Sequence, residues 1–190
     1  VITDLPEASI DVAEAVLVRP DGIIVAAGRS SWGGDMDVGV AAYASDGQPD
    51  ATFCSGGVFV RNISGDDRAF GLARQSDGSL LVAGNIESGD ELDVFVMRLT
   101  PDGQPDAAFQ DAGELVWGTT DDDTATAIAV MPDDRFVVVG FSMIEGDNDV
   151  LVARFLPNGE ADPAFAAGDG YLFVDLGGDE RGHALALAPD

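Results

Sequence analysis

The chain has no lysine, one histidine (His183) and one cysteine (Cys54) in 190 residues. Without lysine there is no amine for Schiff-base chemistry or for anchoring a phosphate. One cysteine closes no internal disulfide and builds no thiolate metal set by itself. Positive charge is scarce: nine basic residues, all arginine, stand against 35 acidic ones, for a net charge of −26. Nucleic-acid binding needs a basic surface to neutralise phosphate, so that class is disfavoured. No apolar run approaches the ~20 residues of a membrane-spanning helix. No basic region followed by an apolar core opens the sequence, so no signal peptide is legible, and that absence does not locate the protein. Convincing helical periodicity over 11 or more residues is also missing.

What is present is repetition. "SDGQPDATF" at Ser45–Phe53 returns as "PDGQPDAAF" at Pro101–Phe109 and, loosely, as "PNGEADPAF" at Pro157–Phe165. Phe53, Phe109 and Phe165 are 56 residues apart (109 − 53, 165 − 109). Asp37, Asp93 and Asp149 keep that step, as do Gly28, Gly84 and Gly140, and Asp21, Asp77 and Asp133. The last copy slips to 57 (190 − 133), and the extra residue falls near "AAGDGYLF". A fixed period of this size marks a repeat architecture.

Each copy divides into four short apolar segments. The first alternates small residues with larger ones: Ala13, Ala15, Leu17; Ala69, Gly71, Ala73; Ala125, Ala127, Ala129; Gly182, Ala184, Ala186. Period-two alternation predicts a strand. A Pro-Asp-Gly-like turn follows, with Asp134 in place of the glycine in one copy. The second segment is continuously apolar ("IIVAAG", "LLVAG", "FVVVG"), the pattern of a strand buried on both faces. A Gly-rich acidic loop ("RSSWGGDMD", "NIESGDELD", "FSMIEGDND") leads to a third strand, then the repeated phrase makes a double turn before a fourth. Phe53, Phe109 and Phe165 are expected to plug that corner into the core. Four antiparallel strands per unit, repeated, predict an all-β fold: a β-propeller of four-stranded blades of about 56 residues. Crowding around a central axis accounts for Ala and Gly in the first strand.

"AFGLARQSDGSLLVAG…DVFVMRLTPDGQPDAAF" and its two sister copies resemble the bacterial delta-60 β-propeller repeat family across essentially the whole chain. Tyr43 and Asp134 depart from the pattern without disturbing its period. The resemblance implies a secreted or cell-surface bacterial protein, and it supplies no catalytic residues. The expected organisation is one repeat domain over 1–190: a partial blade at 1–10, repeats at about 11–66, 67–122 and 123–178, and a partial blade at 179–190. That gives 14 strands, not a multiple of four, and the expectation that the sequence is a segment of a longer chain.

Few residues offer chemistry. His183 occupies a slot filled elsewhere by Thr126, Phe70 and Glu14, as expected for an axis-lining or packing residue rather than a base. The slot of Cys54 holds Gln110 and Ala166, so it demands no thiol. Carboxylates recur: Asp35 and Asp37, Asp90 and Asp93, Asp147 and Asp149 in the acidic loop; Asp66-Asp67, Asp121-Asp122-Asp123 and Asp179-Glu180 before the first strand. Turn aspartates commonly cap their own backbone. Loop carboxylates also suit Ca²⁺, though no EF-hand or Gly-Gly-x-Gly-x-Asp motif is present. Arg98 and Arg154 are expected to pair with a repeated aspartate. Asn62-Ile63-Ser64 matches a glycosylation acceptor, Trp32 is a candidate exposed contact, and Trp117 sits at a non-equivalent position.

These features predict no catalytic residues, no cofactor beyond possible Ca²⁺, and no nucleic acid or membrane span. The functional expectation is a non-enzymatic extracellular, cell-surface or periplasmic scaffold whose partner is a protein or further repeats of the same chain. Two alternatives are an accessory subunit that binds a basic partner face, and a hydrolase or lyase propeller with a site in the central channel.

Overall fold

The computed structural model describes residues 11–32, 34–61 and 65–188. Twelve strands form three four-stranded antiparallel sheets. The first holds β1 (Asp11–Val18), β2 (Ile24–Trp32), β3 (Asp35–Tyr43) and β4 (Val58–Arg61) in that order. The second holds β5 (Arg68–Arg74), β6 (Leu80–Ser88), β7 (Glu91–Leu99) and β8 (Glu114–Trp117). The third holds β9 (Asp123–Val130), β10 (Phe136–Ile144), β11 (Asp147–Phe155) and β12 (Tyr171–Val174). The sheets are successive blades of an open, partial propeller.

The first strand of each blade is bulged. Ala13 pairs with Gly28 but Ala15 with Ala27; Ala69 pairs with Gly84 but Gly71 with Ala83; Ala125 pairs with Gly140 but Ala127 with Val139. Glu14, Phe70 and Thr126 are the extra residues, two opposing one as a bulge requires. The bulge drives a carbonyl toward the second strand and explains one of the 56-residue landmarks. A Cβ on Gly84 would lie 2.8 Å from the carbonyl carbon of Arg68 and overlap its oxygen, and Gly28 and Gly140 meet Val12 and Thr124 in the same way. No side chain fits there.

The turns follow the sequence. Gly22, Gly78 and Asp134 all have positive φ (85°, 97° and 65°). Asp134 tolerates this conformation because aspartate visits the left-handed region more readily than most residues. Its carboxylate also accepts from the Ser76 amide at 2.7 Å and from the Ser76 hydroxyl, tying the third blade to the second. The repeated phrase is the expected double turn. Gly103 N donates to Thr100 O at 2.9 Å, and Phe109 N to Asp106 O at 2.9 Å, with matching bonds in both sister copies. The extra residue of the last copy is absorbed in a 3₁₀ turn at Ala166–Gly168.

The core lies between blades. Along β6, Leu80 and Val82 join a cluster with Val25, Val38 and Phe53 of the first blade, while Leu81 and Ala83 join Phe136, Val138 and Leu151 of the third. Alternate residues of one strand thus serve two neighbours, which is why its sequence is continuously apolar. Leu80 to Ile86 are all buried, whereas β2 alternates between buried and half-buried residues because no blade covers its other face among the described residues. Corner phenylalanines cross the same interfaces. A Cβ on Gly103 would meet the Phe53 ring at 2.7 Å, and one on Gly159 the Phe109 ring at 2.8 Å. Phe53 and Phe109 are fully buried, and Phe165 is half-buried.

Arg98 and Arg154 pair with aspartates of their own corners. Arg98 meets Asp106 at 2.7 Å and stacks 4.9 Å from the Phe109 ring centroid; Arg154 meets Asp162 at 2.7 Å and stacks 4.8 Å from Phe165. Asp162 also takes Arg135 at 3.0 Å and the Ala164 amide at 2.9 Å. The Ala164 amide, then Arg135 and Arg154, hold its carboxyl below the usual range against the opposing effect of burial. A folded-state value below the unfolded one stabilises above about pH 4, and that stability is lost as pH falls through the folded value. Asp162→Asn is therefore expected to lower Tm at pH 7, with the gap narrowing below about pH 4. Melting curves from pH 3 to 7 check this, and a gap independent of pH would refute it.

Several expectations are corrected. The acidic loop is mostly strand. β6 runs to Ser88 and β7 begins at Glu91; β10 runs to Ile144 and β11 begins at Asp147. Only Gly89-Asp90 and Glu145-Gly146 turn, the latter with φ of 55° and 99°, as a two-residue hairpin with two left-handed positions demands. Residues 179–188 carry no strand, and twelve strands are formed among the described residues. A first strand exists by pairing with a second, and this segment makes instead isolated bonds to the third blade, such as Gly182 N to Gly140 O at 3.0 Å. The partial blade at 1–10, Asn62-Ile63-Ser64 and the Trp32 side chain lie outside the described residues. Trp117 packs 4.8 Å from Tyr171 and 6.5 Å from Phe173, joining the outer strands of two blades.

Candidate functional site

Two places gather chemistry. The first is a cavity of about 660 Å³ beside the first strands. The bulge residues Glu14, Phe70 and Thr126 and their sequence equivalent His183 all line it, together with Arg68, Asn85, Thr124 and Arg181. A side chain on a bulge leaves the ladder's alternation and projects toward the axis. The lining hydroxyls are committed to structure: Thr124 Oγ1 accepts from Asn85 Nδ2 at 3.0 Å, and Thr126 Oγ1 donates to Gly182 O at 2.6 Å. Glu14 pairs with Arg29 at 2.5 Å, and Arg181 stacks 4.6 Å from the Phe141 ring. His183 is exposed. No hydrogen bond joins a nucleophile to a base among these residues.

The second place is a row of carboxylates at the opening of each blade interface. Across the third blade the strand registers align Asp123 with Ser142 and Ser142 with Asp149, and Asp175 follows the last rung, Val150–Val174. Glu180 then arrives from the succeeding segment. Asp149, Asp175 and Glu180 bring carboxylate oxygens within 4.8 Å of one another. Burial pushes the Asp149 carboxyl up, and Asp175, Glu180, Asp147 and Glu145 add to that push. At the preceding interface Asp123 is fully buried and its carboxyl is likewise raised, by burial first and by Asp93 in addition. There Thr119 relieves it, donating through its hydroxyl at 3.0 Å and its amide at 2.5 Å.

The repeated framework decides the family. Residues 19–53, 75–109 and 132–165 match the profile of a family described as a domain of unknown function (DUF5122) beta-propeller. The chain belongs to this DUF5122 β-propeller family. Each matched segment begins next to the Asp-Gly-type turn and ends at the corner phenylalanine. The DUF5122 segments thus contain the bulge-facing glycines, the paired arginines and the corners, while Glu14, Phe70, Thr126 and His183 lie outside them. Asp37, Asp93 and Asp149 are inside; Asp67, Asp123, Asp175 and Glu180 are outside. No curated protein matches the chain.

Sequence reasoning found Asp149 and Glu180 but placed them in separate loops, and it missed Asp175. Superposing the copies would have found it: Asp175 stands where Gly118 and Asn62 stand in the other two. The expected pairing of Arg98 and Arg154 with repeated aspartates is present in the structure.

Proposed function

We propose that this propeller is a non-enzymatic, extracellular bacterial interaction scaffold whose excess negative charge engages a basic face of a protein partner. The period and the repeated corner phrase support placing it in the delta-60 group of propellers. The observation that carries the reading is how the cations are used. Among the described residues, seven arginines (19, 29, 61, 68, 98, 135 and 154) are spent on ion pairs with aspartates and glutamates of the same chain. Acidic side chains outnumber basic ones 35 to nine, so many carboxylates have no cationic partner. Glu87, Asp90, Glu91, Glu145 and Asp147 are exposed at the hairpin tips, where a partner can reach them. Such a surface speeds encounter with a basic partner and rejects acidic ones.

Chemical crosslinking in producing cells, with mass spectrometry of the adducts, tests the reading. The expected partner crosslinks near the hairpin tips through a lysine- or arginine-rich face, and the reconstituted complex weakens at least tenfold between 50 and 500 mM NaCl. Salt-insensitive binding would mean an apolar contact and would refute the electrostatic reading.

A further inference from the structure

We propose that Asp149, Asp175 and Glu180 form a Ca²⁺ site at the outer opening of the third blade. The cluster is more than a patch of surface acid. Asp149 is only 8% exposed, yet it accepts no hydrogen bond and joins no ion pair among the described residues, and its carboxylate points at those of Asp175 and Glu180. A buried carboxylate is ordinarily paired or hydrogen-bonded. Its neighbours do not neutralise it. Asp175 accepts only from the Gly177 amide at 2.7 Å, and Glu180 only from the Leu176 amide at 3.2 Å. Arg181, the nearest arginine in sequence, stacks on Phe141 instead.

The sister interface has one carboxylate fewer. At Asp93 and Asp123 the Asp175 position is Gly118, and a Cβ there would lie 2.9 Å from the Asp93 carboxylate carbon. Two donations from Thr119 serve Asp123 in that copy. The last copy replaces glycine by a third carboxylate and Thr119 by Leu176, which has no side-chain donor. It gains an acceptor and loses a hydroxyl donor, keeping only the amide at that position, a change that suits a cation and penalises the bare protein.

The size and hardness of the cation follow from the ligands. All the donors are oxygen, which selects a hard ion over zinc or copper. Three carboxylate oxygens within 4.8 Å of one another can share one Ca²⁺, which takes six to eight oxygens at about 2.3–2.6 Å in flexible geometry. Mg²⁺ demands near-ideal octahedral geometry at about 2.0–2.1 Å and dehydrates reluctantly, so three carboxylates brought in by separate segments suit it less. Asp175 is exposed, which leaves one side for water ligands and places the affinity in the sub-millimolar to millimolar range of extracellular modules.

Isothermal titration of the metal-stripped 190-residue chain with CaCl₂ tests the site. One saturable event is expected, with MgCl₂ binding at least tenfold more weakly. Asp149→Asn and Asp175→Asn should each weaken Ca²⁺ at least tenfold, while Asp147→Asn at the exposed hairpin tip stays within twofold. Melting in EDTA guards against misfolded variants: Asp149→Asn should melt at or above the wild-type temperature, since it removes an uncompensated buried charge. No saturable heat up to 10 mM CaCl₂, equal affinity for Mg²⁺, or unchanged Ca²⁺ affinity in a folded Asp149→Asn would each overturn the assignment.

Discussion

Gly84→Ala is expected to cost about 4 kcal/mol or more, enough to unfold a marginal domain. The new methyl group would overlap the carbonyl oxygen of Arg68, which is held next to the bulge between two paired rungs, Arg68–Asn85 and Ala69–Gly84. Neither strand can retreat. β6 is buried on both faces, and Gly71 lies against Ile128 of the third blade, 3.0 Å from where its own Cβ would be. Ordinary overpacking costs about 1–3 kcal/mol because side chains can shift, and here backbone meets backbone. Gly89→Ala provides the control. Its φ of 72° disfavours a side chain, but nothing lies within 4 Å, so only a backbone cost of about 1–2 kcal/mol is expected. Urea denaturation of both variants measures the difference. Equal midpoints would show that the bulge can relax and would defeat the argument.

Phe109→Ala is expected to destabilise by about 3–5 kcal/mol, the usual cost of emptying a fully buried aromatic site. The ring closes the interface between the second and third blades. It lies 6.2 Å from Phe136 between ring centroids, beneath Arg98, and against Gly159 of the next corner. Phe165→Ala removes the equivalent ring, also beneath an arginine, yet that ring is half-buried and should cost less than half as much. The pair separates interface packing from the arginine contact, because both rings lie beneath an arginine and only Phe109 is fully buried. Similar losses in the two variants would assign the energy to the arginine stack and would falsify the interface account.

The fold was legible because its signals were local and repeated. A 56-residue step across Gly, Asp and Phe landmarks gave the blade, and the continuous apolar run of Leu80–Ile86 indicated burial on two faces. The bulge was not legible. Ala69, Gly71 and Ala73 read as plain alternation, because a bulge here adds one residue without changing residue type, and its trace is left on the opposite strand, at Gly84. Hairpin length was misread for a related reason. Asp and Gly in "NIESGDELD" look like loop, yet hydrogen bonding to the neighbouring strand overrides that preference for all but two of the residues. The carboxylate site was half legible: Asp149 and Glu180 stand out within their own stretches, whereas the proximity of Asp175 depends on which rung follows Val150–Val174.

The bulged slot also separates what the frame requires from what the axis displays. Glutamate, phenylalanine and threonine occupy it in three blades of matching strand pairing, with no compensating change in the glycine opposite. The backbone is the same whichever side chain stands there, much as a socket accepts different tools without being recast. Chemistry at the axis can therefore be rewritten one position per blade, while the parts that keep the blades together go on being copied unchanged.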